Sequence, residues 1–200
     1  MKSFPQLLAR PEFPRSGPYD PQWVLDNQMG PHPLWLTEWL CQGMNLKKGM
    51  RVLDLGCGKG LSSIFLAKEY DAQIWATDLW ISATDNHERI EAAGLADSIF
   101  PIHTDARSLP YAYEFFDAIV CVDAYIYFGT DDLYLDYLHK FVKPGGQIGI
   151  VVPGFMQELN GPLPEHLHPF WAQECWTWHT LDWWRRHWKR TGLVKLQCAD

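Results

Sequence analysis

The stretch Val52-Leu53-Asp54-Leu55-Gly56-Cys57-Gly58-Lys59-Gly60 decides how this chain is read. Its first four residues alternate like a strand, and glycines follow at every second position. Leu61-Ser62-Ser63-Ile64-Phe65-Leu66-Ala67 then reads as a helix. Glycines between a buried strand and a helix start let the backbone turn tightly and approach a ligand closely. That order predicts a nucleotide-like ligand at the carboxyl end of a parallel strand.

Outward from this stretch, strands and helices alternate. A helix is expected from Pro33, with Leu36, Trp39, Leu40 and Met44 on one face, and strand Arg51–Leu55 follows. Helix Gly60–Glu69 leads to strand Gln73–Thr77, which ends at Asp78. Asp85 is read as the N-cap of a helix to Ala93, stopped by Gly94. Ser98–His103 and Asp117–Val122 read as strands, Asp131–Val142 as a helix, Lys143–Gly146 as a turn and Gln147–Val152 as a strand. Beyond it, 153–178 shows no clear element. A helix from Leu181 to Thr191 is expected to align Leu181, Trp184 and Trp188, and Leu193–Cys198 reads as a last strand. Strands that are apolar throughout, between helices, indicate an α/β fold: a doubly wound, mostly parallel sheet covered on both faces.

Bulk properties narrow the function. Two hundred residues suit one domain with a real core, preceded by a proline-rich arm over residues 1–31. The domain proper is expected over 32–200. A net charge of −7 argues against a nucleic-acid surface, and Arg185-Arg186-His187-Trp188-Lys189-Arg190 reads as the solvated side of a helix. No apolar run approaches the roughly 20 residues that span a bilayer, and Leu7-Leu8-Ala9 is too short for a signal-peptide core. No membrane partner and a cytoplasmic location are the expectations. The five scattered cysteines form no CxxC pair, which favours reduced, mostly buried thiols, and no metal site is expected; Glu165-His166-Leu167-His168 with Cys175 and His179 fits no strong zinc spacing.

The ligand is chosen by spacing. A dinucleotide site uses G-x-G-x-x-G, whereas this loop is G-x-G-x-G. Asp78, 24 residues after Asp54, ends the second strand and suits a ribose diol in either case. An NAD(P)-dependent oxidoreductase is therefore the disfavoured alternative.

Val52–Gly60, Asp78, Asp105-Ala106, Phe116–Asp123 and Lys143-Pro144-Gly145-Gly146 resemble, in order and spacing, the motif series of class I S-adenosylmethionine (SAM)-dependent methyltransferases, over roughly residues 33–152. The resemblance implies a Rossmann-like seven-stranded sheet and transfer of a methyl group from SAM to a small-molecule acceptor, leaving S-adenosylhomocysteine. It places Gly56, Cys57, Gly58 and Gly60 under the methionine part, with Asp54 orienting that loop and the amino group. It puts Asp78 on the ribose hydroxyls, with Leu79 and Trp80 against the adenine. Asp105 and Ala106 fall at the adenine amino group, and Asp123 near the methyl group. Asn27-Gln28-Met29-Gly30 are expected to close over the cofactor as a lid.

For a general base, should the acceptor need one, the candidates are Asp123 and Tyr125, then Tyr127 and His179. Tyr125 and Tyr127 are read equally as pocket wall. Trp171, Trp176, Trp178 and Trp183 are read as core or as a wall for an apolar or cationic substrate, and Lys59 as facing solvent. The family ends in a two-stranded hairpin, and only Leu193–Cys198 is available for it here. The fold is then expected to lack its last strand, or the sheet edge is open or completed by a second copy, which makes a homodimer an expectation. A SAM-binding protein without catalysis is the remaining alternative.

Overall fold

The computed structural model describes residues 10–199; the Leu7–Ala9 reading lies outside them. Two helices, α1 (Pro21–Asn27) and α2 (Pro33–Gln42), precede an alternating series: β1 (Arg51–Leu55), α3 (Leu61–Tyr70), β2 (Gln73–Asp78), α4 (Ala83–Ala92), β3 (Ile99–His103) and β4 (Phe116–Val122). A short α5 (Tyr134–Leu138), β5 (Val142–Val151) and α6 (Leu181–Lys189) complete it. The strands form one parallel sheet in the order β3-β2-β1-β4-β5. Val52 of β1 lies between Ile74 of β2 and Ala118 of β4. The order reverses next to β1, so the crevice at its carboxyl end is the place where an open α/β sheet binds ligands.

Strand parity sorts the core into two layers. Val52, Ile74, Ala76, Ala118 and Val120 pack with Ile64, Leu66 and Ile90 of α3 and α4. Leu53, Leu55, Ile119 and Cys121 face the other way, onto Tyr134 and Leu138 of α5 and Trp184 and Trp188 of α6. Helix α3 is buried along its whole first two turns, Leu61 to Ala67. A helix apolar all round must be covered all round. Its outer side is closed by the N-terminal arm, where Val24, Tyr19 and Trp23 meet Leu61 and Phe65. Glu38 fixes the arm: its buried carboxylate accepts from the Arg15 and Ser16 backbone N–H groups and from the Ser16 hydroxyl (3.0, 2.8 and 2.6 Å).

Several boundaries differ from the sequence reading. Ser82, not Asp85, caps α4, its hydroxyl accepting from the Asp85 N–H at 3.0 Å. The helix expected over Asp131–Val142 is reduced to α5 and a 3-10 turn, His139–Phe141. The Lys143–Gly146 turn is drawn into β5, where a register irregularity between Phe116 and Ala118 absorbs it. The stretch 153–178 holds two 3-10 helices, Glu165–Phe170 and Gln173–Thr177. Leu193–Cys198 is not a strand. Arg185 of α6 donates instead to the Ala199 carbonyl, so the tail lies along the helix and five strands replace the seven implied by the resemblance.

Helix α6 is held through a ring column: His179 stacks on Trp183 at 3.8 Å, and Trp183 on His187 at 4.5 Å. His187 is 5% exposed and its Nε2 lies 3.2 Å from the Gly129 carbonyl, while Arg190 Nη2 lies 3.1 Å from Nδ1. Arginine only donates, so Nδ1 accepts and the proton sits on Nε2: the ring is neutral. Burial, then the Arg190 charge, lowers its pKa, while the Asp132 carboxylate and the Gly129 carbonyl oppose this. A histidine depressed in the fold stabilises fully above its unfolded pKa of about 6.5 and loses that contribution as pH falls through the folded value. His187→Gln should therefore lower the melting temperature at neutral pH and flatten its decline on acidification. Melting curves from neutral pH to about 5 check this; equal slopes in the two proteins would refute it.

Candidate functional site

The loop after β1 is shaped by three residues with positive φ: Gly56 at 75°, Gly58 at 53° and Gly60 at 80°. At Gly56 a side chain is excluded twice, by that φ and because a Cβ would lie 2.3 Å from the Ala124 Cβ. The Gly56 and Cys57 N–H groups both donate to the Thr77 carbonyl of β2 (2.8 and 3.1 Å).

Asp78 completes the arrangement. Its Oδ2 accepts from the Gly58 N–H at 2.8 Å, and its Oδ1 from the Trp80 and Ile81 N–H groups at 2.7 and 2.9 Å. One carboxylate thus joins the loops after β1 and β2. Asn86 of α4, itself buried, donates to the Gly58 carbonyl at 2.9 Å from the other side. These loops border a cleft of about 980 Å³, open mouth included, that also contains Asp105, Ala106, Asp123 and the arm segment Asn27–Pro31.

The arm reaches the cleft with little clearance. A Cβ on Gly30 would stand 2.3 Å from Asp123 Oδ2, and one on Gly58 3.0 Å from the Met29 sulfur. Lys59, expected in solvent, borders the cleft and donates to the Asp26 carbonyl at the end of α1 (3.1 Å).

The remaining candidates divide. Cys57, Leu79, Asp105, Ala106 and Asp123 all border the cleft. Asp105 Oδ1 is engaged by its own turn, accepting the Arg107 N–H at 2.8 Å with Arg107 Nη1 at 3.6 Å. Asp123 has a φ of 57°, unusual for a residue with a side chain, and such backbones concentrate at functional sites. Burial raises its pKa, and no hydrogen-bond donor reaches its carboxylate among the described residues.

Gly60 and Asp54 do not border the cleft. Asp54 is 0% exposed, and its Oδ2 accepts the Ser62 and Ser63 hydroxyls at 2.6 and 2.5 Å. Strand parity places it on the Val52 face under the first turn of α3, where a negative charge meets the positive end of the helix dipole. Burial and the Asp78 charge push its pKa up to about 6 against the two serines. Tyr125 is also corrected. It is 0% exposed and enclosed by Phe128, Tyr134, Trp184 and Trp188, with its phenol pushed up by burial, so it belongs to the core beneath the cleft. A ring that never reaches the cleft cannot take a proton from a ligand there. His179 lies outside the cleft as well, its Nδ1 3.1 Å from Glu158 Oε2.

Residues not singled out from sequence hold the site together. Ser62, Ser63 and Asn86 belong to no motif in the sequence, and only the fold brings them to the loop. Arg107 donates to the Tyr127 carbonyl at 2.7 Å across the cleft mouth. Trp80, 62% exposed, meets the Tyr127 ring edge-on at 5.0 Å.

A five-stranded parallel sheet with a glycine loop tied to an acid at the end of the next strand defines a nucleoside-binding, Rossmann-like domain. Residues 52–146 match the model of the methyltransferase domain, a match that supports a class I SAM-dependent methyltransferase. It is 28% identical over 134 residues to methyltransferase GfsG of Streptomyces halstedii, across 65% of this chain and 48% of that protein. The chain spans between 22% and 60% of the length of the curated relatives it matches. Phosphoethanolamine N-methyltransferase 2 of Haemonchus contortus, solved with S-adenosyl-L-methionine, superposes with a TM-score of 0.69 over 96% of this chain and 44% of that one, at 23% identity. The [4+2]-cyclase SpnF superposes with a TM-score of 0.54 over 58% and 43%, at 26% identity. The cofactor of the family is SAM.

The buried Asp54–serine cluster gives a paired expectation. Asp54→Ala leaves two buried hydroxyls without an acceptor, at about 1–3 kcal/mol each, and should lower stability by several kcal/mol. Asp54→Asn keeps an acceptor oxygen for both serines and should cost less than about half as much. Urea unfolding of the two variants checks the order; equal losses would show that the charge, not the acceptor, matters.

Proposed function

We propose that the chain transfers a methyl group from SAM to a small-molecule acceptor bound in the cleft at the carboxyl ends of β1, β2 and β4. The observation that carries this reading is the Asp78 carboxylate, which accepts from Gly58, Trp80 and Ile81 while bordering the open cleft. Asp78 thereby sets the floor for the nucleoside, and Oδ2, with one backbone donor, keeps capacity for a ribose hydroxyl. Gly56, Cys57 and Gly58 bring bare backbone to the methionine part, and Leu79 and Trp80 provide apolar cover for the adenine. Ala106 and Asp105 border the same space. No phosphate cradle is needed: Arg107 is committed to Asp105 and the Tyr127 carbonyl, and Lys59 to the Asp26 carbonyl.

When bound, SAM supplies an electrophilic methyl group on a sulfonium, whose charge suits a cleft with an unpaired carboxylate and aromatic rims. The chain's own contribution is positioning and exclusion of water, which can be worth about 7–11 kcal/mol of a barrier. The arm, carried to the cleft by Met29 and Gly30, is read as the element that closes it. Asp123, half-buried with a raised pKa, is the group placed to hold or accept a proton from an acceptor.

The small-molecule assignment is supported by the phosphoethanolamine named for the Haemonchus neighbour and by the modest cleft. The cyclase neighbour favours keeping a second reading, a SAM-binding protein without methyl transfer. Calorimetry should show SAM and S-adenosylhomocysteine binding with Kd of about 1–100 μM, weakened at least about tenfold by Asp78→Ala. No binding to the wild-type chain overturns the proposal. Binding without transfer of labelled methyl to any acceptor selects the second reading.

A further inference from the structure

Charge accounting at the cleft mouth points to the kind of acceptor. Two of the acidic groups bordering the cleft are engaged by donors of the chain: Asp78 by three backbone N–H groups, and Asp105 by the Arg107 N–H and guanidinium. Both cations there, Arg107 and Lys59, are turned onto backbone carbonyls. What is left is the Asp123 carboxylate, half-buried and without a donor. Beside it stands Tyr127, in a 3-10 turn (Tyr125–Tyr127) packed against the segment Gln173–Thr177. Glu174 of that segment is partly buried and in no ion pair among the described residues, and its charge and that of Asp123 both raise the Tyr127 phenol above its usual range, after burial. The phenol therefore stays neutral, and its ring, partly exposed, meets the largely exposed Trp80.

A carboxylate without a donor beside an aromatic pair at the cleft, with the Glu174 charge in the segment packed behind, forms an environment that favours a cation. An ammonium gains from the ring faces and from each carboxylate, at up to about 2 kcal/mol per cation–π contact when desolvated, whereas a neutral hydroxyl gains only hydrogen bonds. An anionic acceptor would meet like charge. We propose that the mouth of the cleft, between Asp123, Tyr127 and Trp80, recognises a positively charged amine carried on an apolar body. This deepens the methyltransferase reading by naming the acceptor class, and rests on it for the meaning of the site, though not for the binding itself.

The test is binding, not turnover. The full chain is titrated calorimetrically near neutral pH with 2-phenylethylamine and benzylamine, and with their isosteric alcohols, 2-phenylethanol and benzyl alcohol. The amines should bind about tenfold or more tightly than the alcohols, the equivalent of about 1.4 kcal/mol. Added salt should weaken the amines alone. The preference should fall several-fold in Glu174→Gln and vanish in Asp123→Asn, with melting curves confirming that both variants fold. Alcohols binding as well as the amines, neither pair binding, or a preference unchanged in both variants overturns the inference. A parallel titration with S-adenosylhomocysteine separates the two readings. Its failure removes the methyltransferase assignment, while an amine preference would stand without it.

Discussion

The Asp78 carboxylate is the constraint on which the site depends. Its three backbone donors belong to two loops that the fold brings together only because β1 and β2 are parallel neighbours. A carboxylate satisfied by backbone N–H groups fixes the positions of those groups. Gly58 and the start of the β2–α4 connection cannot move independently of each other. The loop therefore presents its backbone at a set distance from Trp80, and the cleft has a floor before any ligand arrives. Asp54, one strand over, does the same from below, holding the first turn of α3 through two serines.

Much of this was legible in the residues. The strand-loop-helix order at Val52–Ala67, the acid ending β2 and the alternation through β5 follow from period and glycine spacing, and the sheet has the parallel pairing they indicate. The illegible parts share a cause: tertiary partners distant in sequence. Leu193–Cys198 has strand-like alternation, but an arginine on α6 takes its end. Tyr125 stands two residues from Asp123, yet the 3-10 turn after β4 sends its side chain into the aromatic core while Asp123 stays at the cleft. Asp54 carries the family pattern, and strand parity alone buries it beneath α3. Lys143–Gly146 has the composition of a turn, and the irregular β4–β5 register absorbs it as strand.

The arm shows how packing and site are joined. Phe65 and Leu61 of α3 would face water without Tyr19, Trp23 and Val24, so the arm belongs to the hydrophobic core. Its anchor points, Arg15 and Ser16, precede α1, and its tip at Gly30 follows it. The same segment therefore completes the core at one end and meets the Asp123 carboxylate at the other, which a side chain at position 30 would push aside.

The order of the sheet also bears on how the chain reaches this state. β1 pairs early in sequence with β2, and β2 with β3, through short helical crossovers. Its other side must wait for β4, because Val52 meets Ala118 only after two further strands and their connections have been made. Closing such a span costs loop entropy before its contacts repay it. The half from β1 to β3 can thus assemble while the central strand still has one bare edge, apolar on both faces. During synthesis or refolding, that edge is the surface most exposed to pairing with a neighbouring chain.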